Sequence, residues 1–279
     1  MMMTKYIIFI IFAFCSLNII AQGHDHSTYL NYVGEADKAI MEERWYDAAA
    51  HLECAMRLEP GNPTNVLLMS NLGLVRLNAG EDSLALAILN DAHRIAPLST
   101  IVLNNRAKVL QAMGRTSEAY NDYSLILNID STAIEPRFMR GIMSVYSGDT
   151  ITAKKDFAVL QAIAPEEENT LIGLAALYTA TNRPTDAIIQ YTKLINLNPD
   201  IEYYSGRAAC YLLTQQLGEA AADIAEGLKI NPNDAEFYLY RAYLNKLRYR
   251  IDDAEADLKQ AIRLGADPNR AKLFYKIGK

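Results

Sequence analysis

The stretch Glu168–Asp200, ENTLIGLAALYTATNRPTDAIIQYTKLINLNPD, decides how the rest of the chain is read. Leu171, Leu174, Ala175 and Tyr178 fall on one face of a helix, and Ile188, Tyr191, Leu194 and Ile195 fall on one face of a second. Asn182, Arg183 and Pro184 break the run between them and predict a turn. The segment is therefore a helical hairpin, closed by Asn198-Pro199. Working outward, the same hairpin recurs in both directions. A hairpin packs closely only where small side chains let the other backbone approach, and two small-residue columns mark each copy. In the first helices Ala36, Gly73, Ala107, Gly141, Ala175, Ala208 and Ala242 recur at spacings of 37, 34, 34, 34, 33 and 34. In the second helices Ala48, Ala85, Ala119, Ala153, Ala187, Ala220 and Ala254 keep the same six spacings. A third column, Leu52, Leu89, Tyr123, Phe157, Tyr191, Ile224 and Leu258, supplies a large apolar plug.

Helix ends are punctuated by Pro60, Pro97, Pro165, Pro199, Pro232 and Pro268, with Ser131 where the third unit departs. This 34-residue period with its small, small, large and proline columns resembles the tetratricopeptide repeat family. The expected fold is all-α, an α-solenoid of about seven helix-turn-helix repeats, which the resemblance implies forms a right-handed superhelix. The expected units are 29–62, 66–99, 100–133, 134–167, 168–200, 201–234 and 235–268, and 269–279 reads as a capping helix with Ala271, Leu273, Phe274 and Ile277 among Arg and Lys. Gly80 and Gly114 stand at turns where a left-handed cap ends a helix.

The first residues carry a different signal. Lys5, the apolar run Tyr6–Ile20 and the small-residue end Ala21-Gln22-Gly23 make 1–21 a secretory signal, followed by a flexible lead-in, 22–28. The run is shorter than the roughly 20 residues that span a bilayer, so no transmembrane segment is expected. Cys15 follows the bulky Phe14 and precedes more apolar chain, which ranks a lipoprotein below an exported periplasmic or secreted protein. The Ala-Gln leader end and the lack of any Asn-X-Ser/Thr acceptor without an intervening proline point to a Gram-negative bacterial source.

Composition narrows the function. Asp and Glu number 33 against 27 Lys and Arg, and the charge becomes −7 once Lys5 leaves with the leader. A nucleic-acid partner needs clustered basic charge, so none is expected. No glycine-rich phosphate loop, Cys-rich metal spacing, His-Glu helix motif or nucleophile elbow occurs, so no cofactor and no catalysis are expected. Cys54 and Cys210 read as small buried hydrophobes, and His51 and His93 as ordinary helix residues. In QGHDHS, His24 at the third mature position would suit a planar nitrogen set for copper or nickel, against a plain disordered terminus.

Two patterns remain. Arg106, Arg140, Arg207 and Arg241 each precede the first-helix small residue, with Asp122, Asp156, Asp223 and Asp257 sixteen residues on. The other units lack both partners, having Glu35 with His51, Leu72 with Ile88, and Leu174 with Gln190. Residues that come and go together predict structural ion pairs, since a semi-buried charge without its partner is costly.

The second pattern rests on the resemblance, which implies that first helices line a concave groove that binds a peptide or helix. On that basis the groove candidates are Asn104, Asn105, Lys108, Phe138, Ile142, Tyr146, Ile172, Leu212, Leu239 and Tyr243, with Val145 and Leu213 beside them. The family's carboxylate clamp is not expected, because Leu74 and Met139 stand where it needs polar groups. The expected function is an exported scaffold that binds a protein segment and supports an envelope complex. A self-associating structural protein is the alternative, with a homo-oligomer as its consequence, and a small-ligand binder or enzyme ranks third.

Overall fold

A computed structural model of the chain describes residues 25–276, with side chains from 26 to 272. The leader 1–21 and His24 lie outside the described residues. Among those described there are fifteen α-helices and no strand. The described residues divide into two compact units, 25–140 and 141–276.

The first unit holds α1 (Asp25–Met41), α2 (Trp45–Leu58), α3 (Asn65–Asn78), α4 (Asp82–Ile95), α5 (Thr100–Ala112), α6 (Thr116–Ile129) and the start of α7 (Ile134–Ser147). The second holds the rest of α7, then α8 (Thr150–Ile163), α9 (Glu168–Ala180), α10 (Pro184–Leu197), α11 (Ile201–Leu213), α12 (Leu217–Ile230), α13 (Ala235–Leu247), α14 (Ile251–Arg263) and α15 (Pro268–Lys276). Within each unit consecutive helices pair as hairpins, α1 with α2 and α9 with α10 among them. Second helices also pack on the first helix that follows, as α2 does on α3 and α10 on α11. First helices further touch one another, α3 on α5 and α11 on α13. They form the more tightly packed row of each unit, and the second helices form the other.

The small-residue columns explain this packing. Every alanine in the two columns is buried, and the plugs Leu52, Leu89, Tyr123, Phe157 and Ile224 are essentially inaccessible. Tyr191 and Leu258 are only half-buried. Leu258 belongs to the last hairpin, where the short α15 stands in for a further unit. Ala271 of α15 seals that end against Leu239 and Ala261, with Tyr238, Leu258 and Ala266 around it.

The N-terminal end differs from the sequence expectation. The first helix begins at Asp25, so four residues assigned to a flexible lead-in are helical. His26 explains this locally: its Nδ1 lies 2.9 Å from Glu59 Oε1 and its ring stacks on Tyr29 at 5.9 Å. The Tyr29 hydroxyl in turn meets Thr64 Oγ1 at 2.9 Å, and Asn65 Nδ2 donates to the Glu59 carbonyl at 2.7 Å. The three extra residues of the first period are thereby folded back onto α1.

Each hairpin turns through one residue in the left-handed region. Gly80, Gly114 and Gly148 fill that place in three hairpins, at φ between 72° and 80°. Glu43, Asn182, Gln215 and Tyr249 fill it in the others, at φ between 55° and 59°. A bulky residue there crowds its Cβ against the backbone at a cost of about 1–2 kcal/mol. Tyr249 is 90% exposed, so packing returns little of that cost. Tyr249→Gly is expected to raise stability by about 0.5–1 kcal/mol after the extra entropy of a glycine is counted. Asn182→Gly should change it by much less, since Asn tolerates this conformation. Urea midpoints of the two variants test the pair of values.

Candidate functional site

Three Arg–Asp pairs join the two helices of their hairpins. Arg106 donates from Nε and Nη2 to Asp122 at 2.8 and 2.6 Å, Arg207 to Asp223 at 2.9 and 2.8 Å, and Arg241 to Asp257 at 3.0 and 2.5 Å. Each is a two-pronged fork, the strongest geometry open to these groups. The aspartates are buried, and Asn245 Nδ2 adds a further bond to Asp257 at 2.9 Å. Arg140 closes the first compact unit and Asp156 lies in the second.

The remaining guanidinium nitrogen reaches back to the preceding hairpin. Arg207 Nη1 donates to Thr192 Oγ1 at 3.0 Å, Arg140 Nη1 to Ser124 Oγ at 3.4 Å, and Arg106 Nη1 to Asn90 Oδ1 at 3.5 Å. Tyr204 and Tyr211 flank Arg207 at 5.9 and 5.7 Å, and Tyr238 lies 4.8 Å from Arg241. The bonds to Asp223 and Asp257 hold these two guanidiniums more firmly protonated than a free arginine. Arg106 and Arg207 are thus struts that tie their hairpins internally and to the neighbour, and Arg241 ties its own hairpin.

A second recurrent pair escaped the sequence analysis. Arg44, Arg115, Arg183 and Arg250 directly follow the left-handed turn residue, and each bridges to an acid three residues on: Asp47, Glu118, Asp186 and Asp253. The acids sit in the first turn of the second helix, where negative charge meets the positive end of the dipole. An R-x-x-[D/E] pattern at fixed phase after the turn was the available signal. These pairs are exposed, unlike the struts.

The groove candidates divide into three kinds. In the first unit, Lys108 Nζ lies 2.9 Å from Glu135 and Asn104 Nδ2 lies 3.3 Å from the same carboxylate. Asn105 is buried and donates to Ser70 Oγ at 2.9 Å, so it is part of the packing between α3 and α5 and is not open to a ligand. Phe138 is half-buried. In the second unit, Ile142, Ile172 and Tyr243 are half-buried and Tyr146 is 85% exposed.

Leu212 and Leu239 correct the expectation. They are 4% and 1% exposed. Leu212 lies in the cluster with Phe237, Tyr240 and Leu244 of α13, and Leu239 is covered by the α14 and α15 contacts described above. First helices touch their neighbours, so one edge of the presumed groove face is consumed by packing. Leu213, one residue on, points the other way and is 67% exposed. The open first-helix surface of the second unit is thus Ile142, Tyr146, Ile172, Leu213 and Tyr243.

Of the two cysteines expected to be buried, Cys210 is and Cys54 is only half-buried, its Sγ accepting from Arg57 Nη2 at 3.3 Å at the end of α2. Burial pushes the Cys210 thiol and the Tyr191 hydroxyl above their ordinary values, and burial together with the Arg106 charge pulls His93 below its own. A buried, protonated thiol is a poor nucleophile. Among the described residues no group of three or more His, Cys, Asp or Glu is placed to hold a metal, and no helix is long and apolar enough to cross a membrane.

No family model matches the chain. A tetratricopeptide repeat protein from Parabacteroides merdae has a similar structure, with a TM-score of 0.67 and 25% identity over 90% of this chain and 98% of that one. YrrB, described as a TPR protein with an unusual peptide-binding site, has a TM-score of 0.56 and 20% identity, covering 68% of this chain and 98% of its own. Among curated proteins, the DnaJ homolog subfamily C member 7 homolog of Dictyostelium discoideum is 23% identical over 189 residues, 62% of this chain and 35% of that protein. The chain spans less than half the length of the DnaJ-type relatives it matches. The fold is that of a tetratricopeptide repeat solenoid.

Proposed function

We propose that this tetratricopeptide repeat array is an exported scaffold that holds a segment of another protein against its first helices and supports assembly of a complex in the bacterial envelope. The observation that carries the reading is the open first-helix surface of the second unit. Tyr146 and Leu213 expose most of their apolar area, while the struts behind them fix the frame. Tyrosines on a rigid support bring large contact area at low entropic cost, which is what anchors a peptide. The first unit, taken by itself, has a polar cluster on its first helices, Asn104, Lys108 and Glu135, of the kind that pairs with a peptide backbone. The peptide-binding description of YrrB supports the same use of the fold. The leader-like start, Lys5 followed by an apolar run, supports export.

Affinity capture from the cell envelope tests this directly, comparing the wild type with a Phe138→Ala/Tyr146→Ala/Tyr243→Ala variant of unchanged helical content. Loss of the three aromatic anchors should weaken a specific partner by about tenfold or more. Partners retained equally by both forms would place binding elsewhere, and recovery of the chain alone would favour self-association.

A further inference from the structure

The second unit has another surface, distinct from the first-helix face. Ile163, Leu197 and Ile230 end α8, α10 and α12, and they are 45%, 56% and 52% exposed. They recur at one residue per hairpin, on the edge where each second helix hands over to the next first helix. The same edge is acidic. The stretches 163–169, 197–202 and 230–236 hold seven carboxylates and no Lys, Arg or His. The edge is continuous: Tyr203 at the start of α11 donates to Glu168 at the start of α9 at 2.7 Å, and Arg270 of α15 reaches Glu236 of α13 at 2.5 Å.

Local structure accounts for only part of this charge. Asp200 and Asp234 cap α11 and α13 by accepting backbone N–H groups, and Glu166 meets Lys193 at 2.9 Å in an exposed pair. Glu202 is exposed at the edge, and one oxygen of Glu167 is buried without a hydrogen-bond partner. The hairpin turns at the opposite end are mixed: Arg183, Arg248 and Arg250 stand with Asp149 and Asp252, and Arg183 and Arg250 pair with Asp186 and Asp253. In the first unit the matching stretches vary: 95–101 has Ile95 and Leu98 and no acid, 58–66 has Glu59, and 129–135 has Asp130 and Glu135.

Lys193 and Arg270 neutralise Glu166 and Glu236, and the other five carboxylates meet no cation among the described residues. The aliphatic row thus lies on a net-negative edge that selects its partner by charge as well as by apolarity. From the apolar row and this charge complementarity, we infer that this edge docks a basic amphipathic helix of another protein, its aliphatic face on Ile163, Leu197 and Ile230 and its Lys or Arg side chains toward the flanking carboxylates. The site is separate from the first-helix face and does not depend on it.

The test is fluorescence anisotropy on the full chain with a labelled leucine/lysine peptide of about five helical turns, its leucines at i, i+3, i+4 and i+7. Two controls keep its length: a leucine/glutamate peptide with the same apolar face, and a glutamine/lysine peptide with the same charge and no apolar face. The leucine/lysine peptide is expected to bind and the controls to bind at least about tenfold more weakly. Ile163→Ser/Leu197→Ser/Ile230→Ser should weaken it about tenfold through lost apolar contact. Glu166→Gln/Glu202→Gln, both exposed and outside the caps, should weaken it about threefold while circular dichroism stays unchanged. Tyr146→Ala/Tyr243→Ala should leave it unaffected, so failure here and failure of first-helix binding are read separately. Equal binding of either control peptide, or full binding by the triple Ser variant, overturns the inference.

Discussion

Gly173→Ala is expected to destabilise the second unit by about 3 kcal/mol, although the same exchange in an ordinary helix interior gains up to about 1 kcal/mol. A Cβ built on Gly173 lies 2.0 Å from Phe157 Cε1 and 2.6 Å from Cδ1, far inside contact distance. The ring has no room to retreat. It is fully buried, and on its other side a Cβ on Gly141 would stand 2.8 Å from Phe157 Cζ. Phe157 thus wedges between the first helix of its own hairpin and that of the next, in space that two glycines leave open. Adding a methyl must push α9 away from α8 or force the ring off its rotamer. Two controls separate this from a generic glycine effect. Gly34→Ala, exposed in α1 with no heavy atom within 4 Å of the added Cβ, should stabilise by about 0.5–1 kcal/mol. Phe157→Leu in the Gly173→Ala background should recover part of the loss, giving a coupling of more than about 1 kcal/mol in a double-mutant cycle of urea midpoints.

Asp223→Ala is the second large effect, expected to cost about 3–5 kcal/mol. It removes both acceptors from Arg207, whose side chain is only 15% exposed, and leaves a guanidinium held by Thr192 alone. Most of the cost is the desolvated charge left behind rather than the worth of the pair. Arg207→Met in the same chain should therefore restore much of the stability. Asp186→Ala gives the contrast. Its pair with Arg183 has side chains 39% and 52% exposed, so its loss should cost under about 1 kcal/mol. Thermal unfolding of the three variants beside the wild type checks the ordering, and equal losses for Asp223→Ala and Asp186→Ala would remove the strut role.

Much of the fold was legible because a helical hairpin array writes its geometry into columns. Ala36 and Ala48 with Leu52 already specify one close-packed hairpin, and the 34-residue recurrence repeats that statement down the chain. The Arg–Asp struts were legible for a related reason, since both partners vanish together at Leu174 and Gln190. What escaped was set by surroundings. Leu212 and Leu213 have equal apolarity, and only the contact between α11 and α13 makes one core and the other surface. Asn105 reads as a free amide until Ser70, 35 residues away, supplies its partner. The turn position at Tyr249 was hidden because three hairpins use glycine there and Tyr249 does not. The helical start at Asp25 depended on His26 finding Glu59 across the first hairpin.

The first-helix surface of the second unit carries the functional account, and site-specific photo-crosslinking in the source cells tests it most directly. A photoreactive residue replaces Tyr146 on the first-helix face in one form and Ile189, 51% exposed on α10, in another. The account predicts a discrete adduct with a second protein from position 146 that is absent from position 189. Adducts from 189 alone, or from 146 only to another copy of this chain, would contradict it.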